Sequence, residues 1–200
     1  MYQISEIFYS IQGEGVWSGT PCLFLRFYSC NRNCEFCDTY RPAISLVNME
    51  LKEIAHVLSS LSPSCSHLVL TGGEPFFQPK FPDLCAYMLR AGYNLHIETN
   101  GDLLPPQCFE SDKIWITVSP KDRIPIPKYV KEVKWLVGDG KELWRGAIIT
   151  PPPCVHFLQP VWDARREVYE RNLATCIHLV KKHPTIFRLN TQQHKEWGVL

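Results

Sequence analysis

The chain has 200 residues, 45% of them hydrophobic, enough for a packed domain and too many for a disordered chain. Its 21 Lys and Arg against 20 Asp and Glu leave a net charge of +1, which argues against holding nucleic acid or an anionic membrane by bulk electrostatics. No apolar run approaches the ~20 residues of a membrane span, and the opening MYQISEIFYS lacks the basic and then apolar order of a signal peptide. The chain is read as soluble and cytoplasmic, with small-molecule chemistry open to it.

In chain order, short runs rich in β-branched and aromatic residues predict strands at 22–28, 67–71, 94–98, 114–118, 132–137, 154–158 and 185–189. Helices are predicted between several of them. Leu51, Ile54, Ala55 and Leu58 recur at helical spacing, as do Phe81, Leu84, Cys85 and Met88, and then Leu173, Cys176, Ile177 and Val180. The Pro-rich stretches 120–130 and 150–153 read as loops. Alternating strands and helices imply βα units and a mostly parallel sheet. A full eight-unit barrel typically takes roughly 250 residues. The expected fold is therefore α/β, an incomplete (β/α) barrel of about six units. Its polar, glycine-containing segments follow strand ends, so they converge on one rim, where such folds place their sites.

Nine cysteines without an export signal point to metal or redox chemistry before disulfides. Six are scattered, and Cys85 and Cys176 fall on apolar helix faces, where a core role is expected. The other three form Cys30-Asn31-Arg32-Asn33-Cys34-Glu35-Phe36-Cys37, a C-x3-C-x2-C loop. Structural zinc ordinarily takes four protein ligands. The nearest further cysteine, Cys22, begins the preceding strand, roughly 25 Å away at ~3.3 Å per residue. Three thiolates on a [4Fe–4S] cluster leave one iron for a non-protein ligand. On spacing alone, an open cluster, zinc and a fully ligated cluster all stand.

The C-x3-C-x2-C loop with Phe36 before its last cysteine, followed by Gly72-Gly73-Glu74-Pro75, resembles the radical S-adenosylmethionine (SAM) superfamily. Within it, the series Ile11-Gln12-Gly13-Glu14-Gly15, Arg26, Cys37-Asp38-Thr39, Thr71-Gly72-Gly73, Glu98-Thr99-Asn100-Gly101, Ser119-Pro120-Lys121, Gln159-Pro160 and Gln193-His194-Lys195 resembles the 7-carboxy-7-deazaguanine synthase family. The match runs from near residue 4 to the C-terminus. It implies one radical SAM domain over 1–200, with short N-terminal and C-terminal segments capping the substrate.

The resemblance implies a reaction. The family converts 6-carboxy-5,6,7,8-tetrahydropterin to 7-carboxy-7-deazaguanine with loss of ammonia, by a radical ring contraction that uses SAM catalytically. It implies a [4Fe–4S] cluster on Cys30, Cys34 and Cys37, and SAM against Phe36, Asp38, Gly73, Ser119, Pro120, Lys121, Gln159 and Pro160. It implies substrate contacts from Ile11, Gln12, Gly13, Glu14, Arg26, Thr71 and the terminal Leu200, and Mg2+ on Thr39, whose hydroxyl is a hard oxygen donor. Arg26 offers a fixed guanidinium fork for a substrate carboxylate. Glu98 and Asn100 lie on the same rim, and Glu74 is as well suited to holding its own turn. Taken alone, Gln12 to Gly15 is a glycine turn, and the remaining histidines read as core or surface residues. An external electron donor such as flavodoxin or ferredoxin, and a homodimer, follow from the family.

The chain departs from the family in reading Gln159-Pro160-Val161-Trp162-Asp163 where Met-Asp-Gly often follows Gln-Pro, and in carrying Trp135 where small aliphatics are common. A glycyl-radical-enzyme activase shares the cysteine loop; the Gln12–Gly15 segment, Arg26 and Thr39 favour a small carboxylated substrate instead. A non-enzymatic zinc or iron–sulfur module is the alternative from another class.

Overall fold

The computed structural model describes residues 1–37, 46–103, 109, 111–149 and 153–200. One nine-stranded sheet runs in the order β3-β1-β2-β4-β5-β6-β7-β8-β9. The strands are β1 Tyr2–Ile11, β2 Pro21–Phe27, β3 Val47–Met49, β4 His67–Gly72, β5 Asn94–Thr99, β6 Ile114–Val118, β7 Glu132–Val137, β8 Val155–Pro160 and β9 Phe187–Leu189. From β2 to β9 every neighbouring pair is parallel. β1 pairs antiparallel with β2, and β3 antiparallel with β1. The helices are α1 Leu51–Leu61, α2 Phe81–Arg90, α3 Arg145–Ile149, α4 Arg166–Lys182 and α5 Gln193–Trp197.

The seven predicted strands are these seven parallel ones, in an open sheet of the incomplete-barrel kind expected. Helical cover is uneven: no helix joins β6 to β7, and only the five-residue α3 lies between β7 and β8. α1 begins at a capping box in which the Glu50 amide donates to Glu53 at 2.6 Å, and it buries Ile54 and Leu58. α2 buries Phe81, Leu84, Cys85 and Met88, and α4 buries Cys176 and Leu179. Cys85 and Cys176 are thus core residues, as their helical spacing predicts.

Strand alternation then separates the two faces of the sheet. Leu23, Leu25, Phe27, Leu68, Leu70, Leu95 and Ile97 join the buried helix-side core. Phe8, Cys22, Phe24 and Val69 form a small second cluster on the inner face, and beyond it the inner positions turn polar. On the helix side, the Trp135 indole donates to His156 at 2.9 Å and stacks on it. That pairing gives the unusual tryptophan both its burial and its hydrogen bond.

The sheet is open between its β3–β1 edge and β9, and the loop 12–20 reaches across to the β9 side. Gln12 and Gly19 pinch its base, with Gly19 N–H donating to the Gln12 carbonyl at 2.8 Å. Its Gly15 N–H donates to Asn190 at 2.9 Å, just past β9. Its Val16 N–H donates to Glu132 at 3.0 Å, on β7. Trp17 plugs the base of the inner face, packed against His67, His96 and Trp115. His67 and His96 share a hydrogen bond of 3.0 Å between ring nitrogens.

Burial, and then the neighbouring His67, push the His96 imidazole down to about 4. An unfolded histidine titrates near ~6.5. As pH falls the unfolded chain therefore binds this proton first. Stability that is full above pH ~6.5 drains away down to pH ~4, by about 3 kcal/mol. Denaturant unfolding at several pH values should show a shallower acid loss in His96→Gln than in the parent chain; equal slopes would exclude His96 from the acid response.

Candidate active site

The C-terminal ends of the parallel strands, loop 12–14 and the segment around α5 enclose a cavity of about 820 Å³. Cys30, Cys34 and Cys37 line one end. Their loop leaves β2 at Phe27 and is tied down at once: Glu74 N–H donates to the Ser29 carbonyl at 2.9 Å, as does the Gln78 amide at 3.2 Å. The residues between the first two cysteines act as staples. Arg32 makes a two-pronged contact with Asp102 beyond β5 and reaches Asp122 beyond β6 at 2.7 Å. Asn31 accepts from the Asn100 amide at 2.8 Å and donates to Asp102 at 3.0 Å. Cys37 N–H closes a turn onto the Cys34 carbonyl at 3.1 Å.

Burial pushes the Cys30 thiol up, opposed by the Arg32 amide that donates to its sulfur at 3.4 Å; Cys34 and Cys37 raise it further. Among the described residues, no group of three Cys, His, Asp or Glu side chains converges as a single ion requires. The donor set is three soft thiols at one mouth, facing a cavity that can hold a further ligand. That set fits an iron–sulfur cluster with one iron left to a small molecule. The eight described cysteines are all free thiols, with Cys22, Cys85 and Cys176 buried away from this loop.

Next to the thiols stand the residues expected to hold SAM. Phe36 lies under the Lys121 ammonium, 5.6 Å from the ring centre. Gly73 sits so close to the cysteine loop that a Cβ there would run into the Ser29 carbonyl oxygen. Ser119, Gln159 and Pro160 also line the cavity. Pro120, between Ser119 and Lys121, is buried. Asp38 and Thr39 lie outside the described residues.

Glu74 is a strut. Its fully buried carboxylate accepts from Thr99 Oγ1 at 2.7 Å, Asn100 N–H at 2.8 Å and Phe76 N–H at 3.1 Å. Burial pushes its pKa up, against those three donors.

The far end of the cavity is polar. Arg26 lies beside Thr71 in the β2–β4 register, its Nε donating to Glu6 at 3.1 Å and its guanidinium over the Phe8 ring. Thr71 donates to Glu98 at 2.8 Å. Gln12 reaches the other Glu98 oxygen at 3.3 Å and accepts from Glu14 N–H at 3.1 Å. The Gly13 carbonyl accepts from Gln193 N–H at 3.0 Å, and a Cβ on Gly13 would strike His194, so the loop packs directly on α5. Leu200 lines the same cavity, and its backbone oxygen accepts from Ser10 at 2.9 Å.

The expected substrate residues Ile11, Gln12, Gly13, Glu14, Arg26, Thr71 and Leu200 therefore share one wall system. Lys134, Gln192 and Trp162 also line it and were not anticipated. The alternation of Glu132–Val137 puts Lys134 on the same side as Glu132, opposite Val133, Trp135 and Val137, which marks its side but not its partners. Trp162, one of the departures noted in the sequence, holds the Lys195 ammonium over its ring at 4.4 Å.

Residues 25–136 match the radical SAM superfamily. The chain is 37% identical over 197 residues to the 7-carboxy-7-deazaguanine synthase of Bacteroides thetaiotaomicron, covering 98% of this chain and 97% of that one. It is 36% identical over 212 residues to that of Aquifex aeolicus, covering 96% and 91%. The crystal structure of QueE from Escherichia coli superposes with a TM-score of 0.73 at 25% identity, over 95% of this chain and 93% of that one. SuiB of Streptococcus suis, solved with SAM bound, shares the fold at a TM-score of 0.58 and 15% identity, over 83% and 48%.

The strut role of Glu74 has a measurable consequence. Glu74→Ala would leave two buried donors, Thr99 Oγ1 and Asn100 N–H, unpaired, at ~1–3 kcal/mol each, so a loss of about 2 kcal/mol or more is expected in denaturant unfolding. Glu74→Gln, which keeps the shape and an acceptor oxygen, should lose less. A near-neutral Glu74→Ala would contradict the assignment.

Proposed function

The chain belongs to the radical SAM superfamily and, within it, to the 7-carboxy-7-deazaguanine synthase family, and from that premise we propose that it converts 6-carboxy-5,6,7,8-tetrahydropterin to 7-carboxy-7-deazaguanine with loss of ammonia, a step toward 7-deazapurines. The observation that carries this reading is the division of one 820 Å³ cavity between a three-thiol end and an end lined by Arg26, Thr71, Gln12 and Glu14.

When bound, a [4Fe–4S] cluster and SAM supply the one-electron chemistry that removes a hydrogen atom from the substrate. Cys30, Cys34 and Cys37 would hold the cluster. Phe36, Asp38, Gly73, Ser119, Lys121, Gln159 and Pro160 would hold SAM, with Gly73 giving close backbone approach. The protein's own work is orientation. Arg26, its Nε anchored by Glu6, turns its fork toward a substrate carboxylate. The amide of Gln12 and the carboxylates of Glu14 and Glu98 suit the donors and acceptors along a pterin's amino-pyrimidinone edge. Thr71 is held in place by Glu98. Leu200 and the α5 residues His194 and Lys195 line the cavity, which suits a small substrate better than a polypeptide glycine. Thr39 would place Mg2+, with substrate and water completing its shell. An external flavodoxin or ferredoxin as reductant, and a homodimer, complete the proposal.

Arg26 gives the sharpest test. Removing one partner of a largely buried charged contact costs ~3–5 kcal/mol, so Arg26→Ala should raise the pterin KM on the order of a hundredfold or more. Iron and sulfide content should be unchanged, and deoxyadenosine should still form without deazapurine. Arg26→Lys should recover part of the affinity, because an ammonium lacks the two-pronged geometry. A normal KM in Arg26→Ala would make Arg26 structural and remove the carboxylate-binding end from the proposal.

A further inference from the structure

Lys134 is charged and 4% exposed, on a strand whose other inner positions are Glu132 and Leu136. Lysines are almost never buried this deeply unless paired. Its Nζ lies 2.5 Å from Glu14 Oε2, on the loop, and 3.6 Å from Glu98 Oε1, on β5. No cofactor-holding or carboxylate-binding role reaches it. The other charge acting on it is Glu132 on its own strand; Glu6, Arg26, Arg32, Lys121, His194 and Lys195 line the same cavity. Lys195 is tied to Gln192 at 2.7 Å, and Gln192 donates to the second oxygen of Glu14 at 3.0 Å.

We propose that Lys134 is a positioning residue for substrate recognition: its ammonium, set between Glu14 and Glu98, holds both carboxylates ionised and apart, so that both present acceptor lone pairs to the N–H donors of the substrate. The inference rests on the pterin substrate class proposed above. Its physical basis is the geometry of one ammonium between two carboxylates. Without it, two partly buried like charges face each other, and such a pair shares a proton. A protonated carboxyl turns one acceptor into a donor, which then opposes a substrate N–H. In the intact cluster Glu98 accepts from Thr71 and Gln12, and Glu14 from Gln192 and Lys134. Burial works against the lysine's charge, but Glu14 and Glu98 outweigh it and hold its pKa above the usual lysine range.

Lys134→Met keeps the length and removes the charge; Lys134→Arg keeps the charge. The first readout needs no substrate. In pH-difference infrared spectra of the holoenzyme, a protonated carboxyl gives a C=O stretch distinct from the carboxylate bands. Lys134→Met should show a new carboxyl protonation between about pH 6 and 8, absent from the parent and from Lys134→Arg. It should vanish in Lys134→Met/Glu14→Gln, which removes the like-charge pair, and should appear in Lys134→Gln, which carries the same test if the methionine variant folds poorly. The second readout is kinetic. The pterin KM of Lys134→Met should rise at least tenfold at pH 6.5 and recover toward pH 8.5, with kcat changed less and Lys134→Arg near the parent. A pH-independent loss, or no new carboxyl titration, would overturn the inference and leave Lys134 a packing residue. A new titration with an unchanged pterin KM would overturn its role in recognition while pointing to a substrate other than the pterin.

Discussion

The carboxylate of Glu132, buried beneath the loop that joins the first two strands, decides where the rest of the inner face can go. It accepts from Val16 N–H at 3.0 Å, from the Trp115 indole at 3.3 Å and from the Thr117 hydroxyl at 3.3 Å. Burial raises its pKa, and the donors and the Lys134 ammonium act in the opposite direction. With Asn190 holding Gly15, this one group fixes the loop across the gap that an open parallel sheet leaves between its ends. A closed barrel has no such gap; here a polar clamp does the work of the missing strands.

From that clamp the cavity takes its two characters. Residues 12–14 are brought over β5 and β7, where Glu14 and Gln12 meet Glu98 and Lys134. At the other end, the cysteine loop is held by contacts that none of its cysteines make: Arg32 to Asp102 and Asp122, Asn31 to Asn100, and the Ser29 carbonyl to Glu74 N–H. The three thiols and the Glu14–Lys134–Glu98 group thus line one space. That suits a reaction joining one-electron chemistry to recognition of a polar, carboxylated heterocycle.

Much of this was legible in the sequence, and the gaps have physical causes. The seven parallel strands show as β-branched and aromatic runs because both of their faces are covered. β1 escaped because a bulge between Ile4 and Glu6 breaks its alternation, and β3 because three largely exposed edge residues carry no pattern. α3 and α5, five residues each, are too short for a helical period. The cysteine loop, Gly73 and Gln12 to Glu14 are local motifs, so they could be placed before any fold was known. Lys134 was not, because its meaning lies in Glu14 and Glu98, which only the closed-over loop and the sheet register bring to it. Trp135, which looked like a disturbance, is absorbed by its hydrogen bond to His156.

The central claim is that this cavity carries out a ring contraction. The most direct measurement is mass-spectrometric analysis of the anaerobically reconstituted protein incubated with 6-carboxy-5,6,7,8-tetrahydropterin, SAM, Mg2+ and a reductant. The expected result is 7-carboxy-7-deazaguanine formed over many turnovers, with SAM consumed in far less than equimolar amount. Deoxyadenosine accumulating with no deazapurine, or no SAM cleavage by a protein that holds its full complement of iron and sulfide, would contradict the account.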